Sequence, residues 1–336
     1  MTKPSPQTIA ALKSKIFDWA SSEMRYPQEA LDEANATALQ IDNYVANMGV
    51  DMPVDPEDSA YTKEHFPQNR VYLASSHVDL TGLINAVCEN APWIEALHLR
   101  DLWSGMKTLP QGLVRNTTLK YLEIEGFDGL ERIDALPPGL KGFYCKANEN
   151  ITSLPSQWPR GLKTLRVACC KKLSEITGLP RGLEVFHVLS CRNLWRLQDS
   201  LPNSLLDIMF SSLENLQRMP DQGLRRLKRI YIISCDRLTS EQAGPVLERL
   251  RAGGCDLAGS QRTLERLCSA VVNTLPLASP APSGSSGTTV ATIPRGRSRA
   301  PPTAGSAWVP GDGVEVPFGR RDGTHGKGKL TSGQRR

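Results

Sequence analysis

The chain reads as an α/β repeat protein, a leucine-rich-repeat solenoid with 21–22-residue units, a parallel concave sheet and an extended convex side. Three observations lead there: a recurring L-x-x-L-x-L hexamer, a Cys or Asn three residues beyond it, and a Leu-Pro or Met-Pro dipeptide between units. The hexamers align as Leu119/Leu122/Ile124, Leu140/Phe143/Cys145, Leu162/Leu165/Val167, Leu183/Phe186/Val188, Leu205/Ile208/Phe210 and Leu227/Ile230/Ile232, offset by 21, 22, 21, 22 and 22 residues. Ile94/Leu97/Leu99 fits the same template 25 residues before Leu119, and Val71/Leu73 reads as a degenerate first unit. One unit is too short to bury its own apolar face, so the pattern predicts neighbours stacked into a continuous core.

Ahead of the repeats, Ile9, Leu12, Ile16, Phe17 and Ala20 are spaced for one amphipathic helix, and Leu31, Ala34, Ala38, Ile41, Val45 and Met48 for a second. Pro27 suits the first turn of the second helix and Gly49 its end. Residues 1–52 are therefore expected to form an N-terminal helical hairpin cap and export region, and 53–70 a linker. The repeats occupy 71–239. Helical patterns over Ser240–Arg251 and Ser260–Leu275 predict a C-terminal helical cap at 240–275. Residues 276–336 are rich in Gly, Ser and Pro, too poor in apolar surface to fold alone, and are expected to be a disordered basic tail.

The 336 residues carry 40% apolar content and a formal charge of +5, which names no class of partner by itself. The start lacks a basic segment followed by an apolar run, and no stretch has about 18 uninterrupted apolar residues. The expectation is a chain with neither a Sec signal nor a membrane span. Its eight cysteines are then expected to be reduced thiols.

Cys170, Cys191 and Cys235 all fall on the ninth position of the repeat, where the chain bends away from the strand. Asn148 takes that place in one unit, and Leu213 and Phe127 in two others. A small polar group there can satisfy backbone groups at the bend, so these four Cys and Asn residues are assigned structural roles. No C-x-x-C pair or H-E-x-x-H helix occurs, and no nucleophile is paired with a base, so no metal, cofactor or catalytic residue is expected. Cys169 is predicted to face solvent beside Arg166, Lys171 and Lys172, a setting for a somewhat activated thiol.

The middle strand position gives an outward column of His98, Glu123, Tyr144, Arg166, His187, Met209 and Tyr231 on the concave face. Tyr121, Glu125, Lys146, Val185, Leu189, Asp207, Arg229 and Ile233 flank it. Tyr, Arg and Met in a row are the residue types of interface hot spots. The partner-binding set is therefore Tyr121, Glu123, Tyr144, Arg166, His187, Met209, Arg229 and Tyr231. In the tail, residues 294–336 hold nine Lys or Arg against three acidic residues, a net +6 that offers a contact for nucleic acid or an import receptor. "GTHGKGKL" at 323–330 matches G-x-x-x-x-G-K but has no room for the following helix a phosphate cradle needs.

The repeat style of "LPRGLEVFHVLSC", preceded by "FDWASSEMRYPQEALDEANA", resembles the leucine-rich-repeat effectors of bacterial type III secretion, the YopM and IpaH group and their plant-pathogen relatives. The likeness spans residues 8–275. It implies a protein secreted into the cytoplasm or nucleus of a host cell, where it binds a host protein without catalysis. Many relatives carry a ubiquitin-ligase domain with a catalytic cysteine in a C-x-D setting. Here the aspartates of Cys235-Asp236 and Cys255-Asp256 are adjacent to the cysteine instead. An atypical ubiquitin ligase and a nucleic-acid-binding nuclear effector stand as the alternatives.

Overall fold

A computed structural model describes residues 2–50, 67–259 and 261–272. The tail at 276–336, most of the linker and the "GTHGKGKL" stretch lie outside the described residues. The described part is a parallel-sheet solenoid of about seven turns with helices at its N-terminus.

The elements run α1 (Pro6–Ser22), α2 (Pro27–Ala46), β1 (Val71–Ala74), α3 (Thr81–Asn90), β2 (Ala96–Arg100), α4 (Gln111–Arg115), β3 (Tyr121–Glu125), β4 (Gly142–Lys146), β5 (Thr164–Ala168), β6 (Glu175–Ile176), β7 (Val185–Leu189), β8 (Arg196–Leu197), β9 (Asp207–Ser211), β10 (Arg229–Ile233), α5 (Ser240–Ala252), β11 (Asp256–Gly259) and α6 (Gln261–Val272). Nine strands form one sheet in the order β1-β2-β3-β4-β5-β7-β9-β10-β11, every neighbouring pair parallel. The two-residue strands β6 and β8 pair on the opposite side, and isolated bridges join Arg132 to Ser153 and Ser200 to Gln222. The return path of the later units is thus extended chain, consistent with a proline in each one.

The three apolar columns of the hexamer form the core. Leu119, Leu122 and Ile124, and their equivalents down to Leu227, Ile230 and Ile232, are all buried. Each such side chain contributes about 1.5–3 kcal/mol by leaving water. Where the column holds large rings they interlock, as Phe186 and Phe210 do edge to face at 5.9 Å and 86°.

One backbone device recurs after almost every strand. Asp101, Ala147, Cys169, Ser190, Ser212 and Ser234, each immediately following a strand, have φ between 46° and 57°, and Gly126 takes the same place at 70°. The left-handed conformation turns the chain off the sheet within one residue. Its amide then stays in the ladder: Ala147 N–H donates to Ala168 O at 2.9 Å, Cys169 N–H to Leu189 O at 2.9 Å and Ser190 N–H to Ser211 O at 2.8 Å. Gly126 takes that conformation without the cost a Cβ brings, and a Cβ there would also push aside the Asp101 carboxylate, 2.3 Å away.

The next two residues complete the bend. Asn148 accepts from Phe127 N–H at 2.8 Å and donates to Ile124 O at 3.0 Å. Cys170, Cys191 and Cys235 place their thiols 3.5 Å from carbonyls of their own strands, Ala168 O, Leu189 O and Ile233 O, with Cys145 O, Val167 O and Phe210 O at 3.7–3.9 Å. In all four units the carbonyl reached one turn earlier is that of the third apolar position. All four residues are fully buried.

The N-terminal helices run as the spacing predicts, with Ser5 capping α1 through Thr8 N–H at 3.2 Å and Pro27 opening α2. Leu31, expected on the inner face of α2, is instead 42% exposed, and Ala30 and Thr37 take inward places. The inward stripe of α2 is small at its start, with Ala30, Ala34, Thr37 and Ala38, and larger at its end, with Ile41 and Tyr44. Two helices, α3 and α4, were not expected. They occupy the longer intervals before β2 and β3, 26 and 25 residues by strand register, where the extra residues allow helical turns in place of extended chain. At the other end, the two anticipated helices are separated by β11, which continues the sheet beyond β10. That strand takes up amide and carbonyl groups that β10 would otherwise leave at an edge.

Because left-handed φ costs a residue with a Cβ about 1 kcal/mol or more, Ala147→Gly is expected to stabilise the fold by about 0.5–1 kcal/mol. Ala147→Val should destabilise it by at least as much. Urea denaturation of the two variants against the parent measures both.

Candidate functional site

Strand register places the middle positions in one row across the sheet: Tyr72, His98, Glu123, Tyr144, Arg166, His187, Met209 and Tyr231. Tyr121, Gly142, Thr164, Val185, Asp207 and Arg229 form the flanking row on one side. Glu125, Lys146, Ala168, Leu189, Ser211 and Ile233 form the other.

The expected solvent-facing column is not uniformly exposed. Glu123, Arg166 and His187 are buried, with Arg166 at 4% and His187 at 1% exposure, while Tyr121, Tyr144, Met209, Arg229 and Tyr231 are partly exposed. Parallel strands stand only about 4.8 Å apart, so a side chain in mid-row is flanked by its neighbours on both sides. Charge pairing then draws the polar members down against the sheet.

Two polar clusters result. In the first, Asp207 sits between His187, whose Nε2 is 3.3 Å from Oδ1, and Arg229, whose Nε donates to Oδ2 at 3.0 Å and whose NH2 group contacts the same oxygen. Arg229 also lies over the Tyr231 ring, 5.4 Å from its centroid. Burial opposes the Asp207 charge, but His187 and Arg229 outweigh it and hold the carboxyl down to about 2.

The second cluster lies on β2–β4. Arg70 reaches Glu123 at 3.3 Å, Lys146 reaches Glu125 at 2.9 Å, and His98 stands between the two carboxylates. Glu125 is likewise held at about 2, since His98, Lys146 and Arg100 together overcome the effect of its burial. Between the clusters, burial pushes the Tyr144 phenol up, and the Glu123 charge adds to that. Tyr144 therefore presents a neutral hydroxyl and a ring at neutral pH.

Cys169 departs from the expectation of an activated thiol. It is half-buried in the left-handed position, and burial together with Cys191 outweighs Lys146 and Lys171 and raises its pKa. Its neighbours below the sheet are less reactive still. Cys145 and Cys170 have their sulfurs 3.6 Å apart in the core, and the contact with Cys145 pushes the Cys170 thiol up.

The strand phase that identifies these rows was legible from the L-x-x-L-x-L template. The pairing of His98 with two glutamates was not, because it needs the 25-residue interval to end in register with Tyr121–Glu125. Arg70 was missed because it precedes the first recognisable unit. No family model matches the chain, and no curated protein gives a significant match.

Two outcomes follow from the charges. The Asp207 pKa is lower in the folded chain than the ordinary value near 3.9. The stability it adds is therefore present above about pH 4 and lost as pH falls toward 2. Asp207→Asn is expected to lower stability by about 2 kcal/mol at pH 7 and by almost nothing near pH 2, as read by urea denaturation at each pH. Cys169, with its raised pKa, should react with iodoacetamide at pH 7 several-fold more slowly than free cysteine, measured by mass spectrometry of the native protein.

Proposed function

We propose that the solenoid is a leucine-rich-repeat interaction module that binds a host protein through its concave face, and that the chain is a non-enzymatic bacterial effector delivered into host cells. The observation that carries this reading is the division of labour along the row. Tyr121, Tyr144, Met209, Arg229 and Tyr231 stay partly exposed, while Glu123 and His187 between them are buried and held by Arg70 and by Asp207. Rings, a thioether and a guanidinium fixed on a rigid sheet lose little conformational freedom on binding, which favours affinity.

The effector assignment rests on the style of the repeats and of the helical segment ahead of them, as quoted above. The thiols weigh against the ligase alternative. Burial raises Cys235 and Cys255 to about 11, whereas a catalytic cysteine needs a lowered pKa. Among the described residues no helix is long and apolar enough to cross a membrane.

The test is capture from host-cell extract by the full chain, comparing wild type with Tyr144→Ala/Met209→Ala/Tyr231→Ala and with Trp195→Ala, an exposed residue away from the row. The expected result is one partner retained by wild type and by Trp195→Ala and bound at least tenfold more weakly by the folded triple variant. Equal capture by all three overturns the assignment of this face.

A further inference from the structure

The cluster on β2 and β3 holds the ingredients of a metal site. One ligand atom each from His98, Glu123 and Glu125 lies within 4.8 Å of the other two. His98 Nδ1 is 3.6 Å from Glu123 Oε2, and Nε2 is 3.4 Å from Glu125 Oε2. The ring is only 6% exposed, and among the described residues neither nitrogen makes a hydrogen bond. Burial of an imidazole in that condition is costly, and the two long carboxylate contacts offset it only in part.

We propose that His98, Glu123 and Glu125 together bind one divalent transition-metal ion of the zinc class, through one ring nitrogen and one oxygen of each carboxylate. The spacing supports this. Two ligand atoms each about 2.0–2.2 Å from a tetrahedral ion stand about 3.4 Å from each other, the separation of His98 Nε2 from Glu125 Oε2; the Glu123 contact is to the other ring nitrogen, and its carboxylate, within 4.8 Å of the same set, closes on the ion by a side-chain rotation. Those separations are too long for a strong direct hydrogen bond and suited to an atom in between. An imidazole in the set selects zinc, cobalt or nickel over calcium and magnesium, which prefer all-oxygen shells.

The surroundings act in both directions. Tyr72 packs its ring against His98 edge to face, at 5.0 Å and 83°, which restrains the imidazole plane. Lys146 contacts Glu125 through Oε1, leaving Oε2 toward the histidine. Arg70 shares Glu123 Oε2 with His98 and competes with an ion for it, so binding is of moderate strength. Three protein ligands leave a fourth position for water or for a donor from a partner docked on the sheet. The metal assignment stands independently of the host-protein reading above.

The experiment titrates the full chain with Co²⁺ under reducing conditions, following absorption, and with Zn²⁺ by calorimetry. The expected result is one saturable equivalent, with visible cobalt bands and no thiolate-to-cobalt charge transfer. His98→Gln and Glu125→Gln should each weaken binding at least tenfold, and circular dichroism checks that both remain folded. Glu125, at 12% side-chain exposure, is the safer substitution if His98→Gln unfolds. Absence of saturable binding by the folded parent overturns the proposal and leaves a polar cluster around the His98 ring. Charge-transfer absorption, or binding that Glu125→Gln does not weaken, overturns it too by placing the ion elsewhere.

Discussion

The regularity of this sheet depends on a one-residue turn at the ends of the seven strands β2, β3, β4, β5, β7, β9 and β10. A strand of five residues cannot be followed by a buried bend unless the chain leaves the sheet plane at once, and the left-handed residue makes that change without losing its amide from the ladder. Ala147, Cys169, Ser190, Ser212 and Ser234 accept the strained φ because a small side chain there is the least costly alternative to glycine. The inward Asn148 then bonds the carbonyl of the preceding turn, and the Cys that takes its place in three other units lies between that carbonyl and a nearer one of its own strand. Backbone reversal and side-chain bond together fix the rise from one unit to the next.

That fixed rise is what brings distant residues together. Arg70 and Glu123 are 53 positions apart yet pair on one face, and Asp207 meets Arg229 from 22 positions further on. Buried charge is costly unless paired, so the two clusters tie specific turns into specific neighbours in a way that the leucine columns, which are interchangeable, do not. The half-exposed tyrosines rise from between these anchored points.

Much of this was readable beforehand. A template of six positions, repeated at 21 or 22 residues, was enough to name the core, the bend residues and the phase of the outward row. The extent of burial along that row was not readable, because periodicity tells which way a side chain points and says nothing of how far its neighbours lean over it. Arg166 and His187 illustrate the gap. The helices α3 and α4 were overlooked for another reason: a repeat of 25 residues differs from one of 21 only by an insertion, and the insertion's helical pattern is short. The strand β11 is four residues without alternation, and only the open side of β10 reveals why it forms.

The helix α2 also leaves its mark on the first strand. Gln40 accepts the Tyr72 amide at 2.6 Å, and Tyr44 accepts the amide of Glu95 at 3.0 Å. A parallel sheet of identical-looking turns is an open-ended template, and its first strand would offer the β11 of a second copy a ready place to continue. With the Tyr72 amide taken by a side chain from a helix, that strand has one donor fewer to offer an added strand, which disfavours head-to-tail growth.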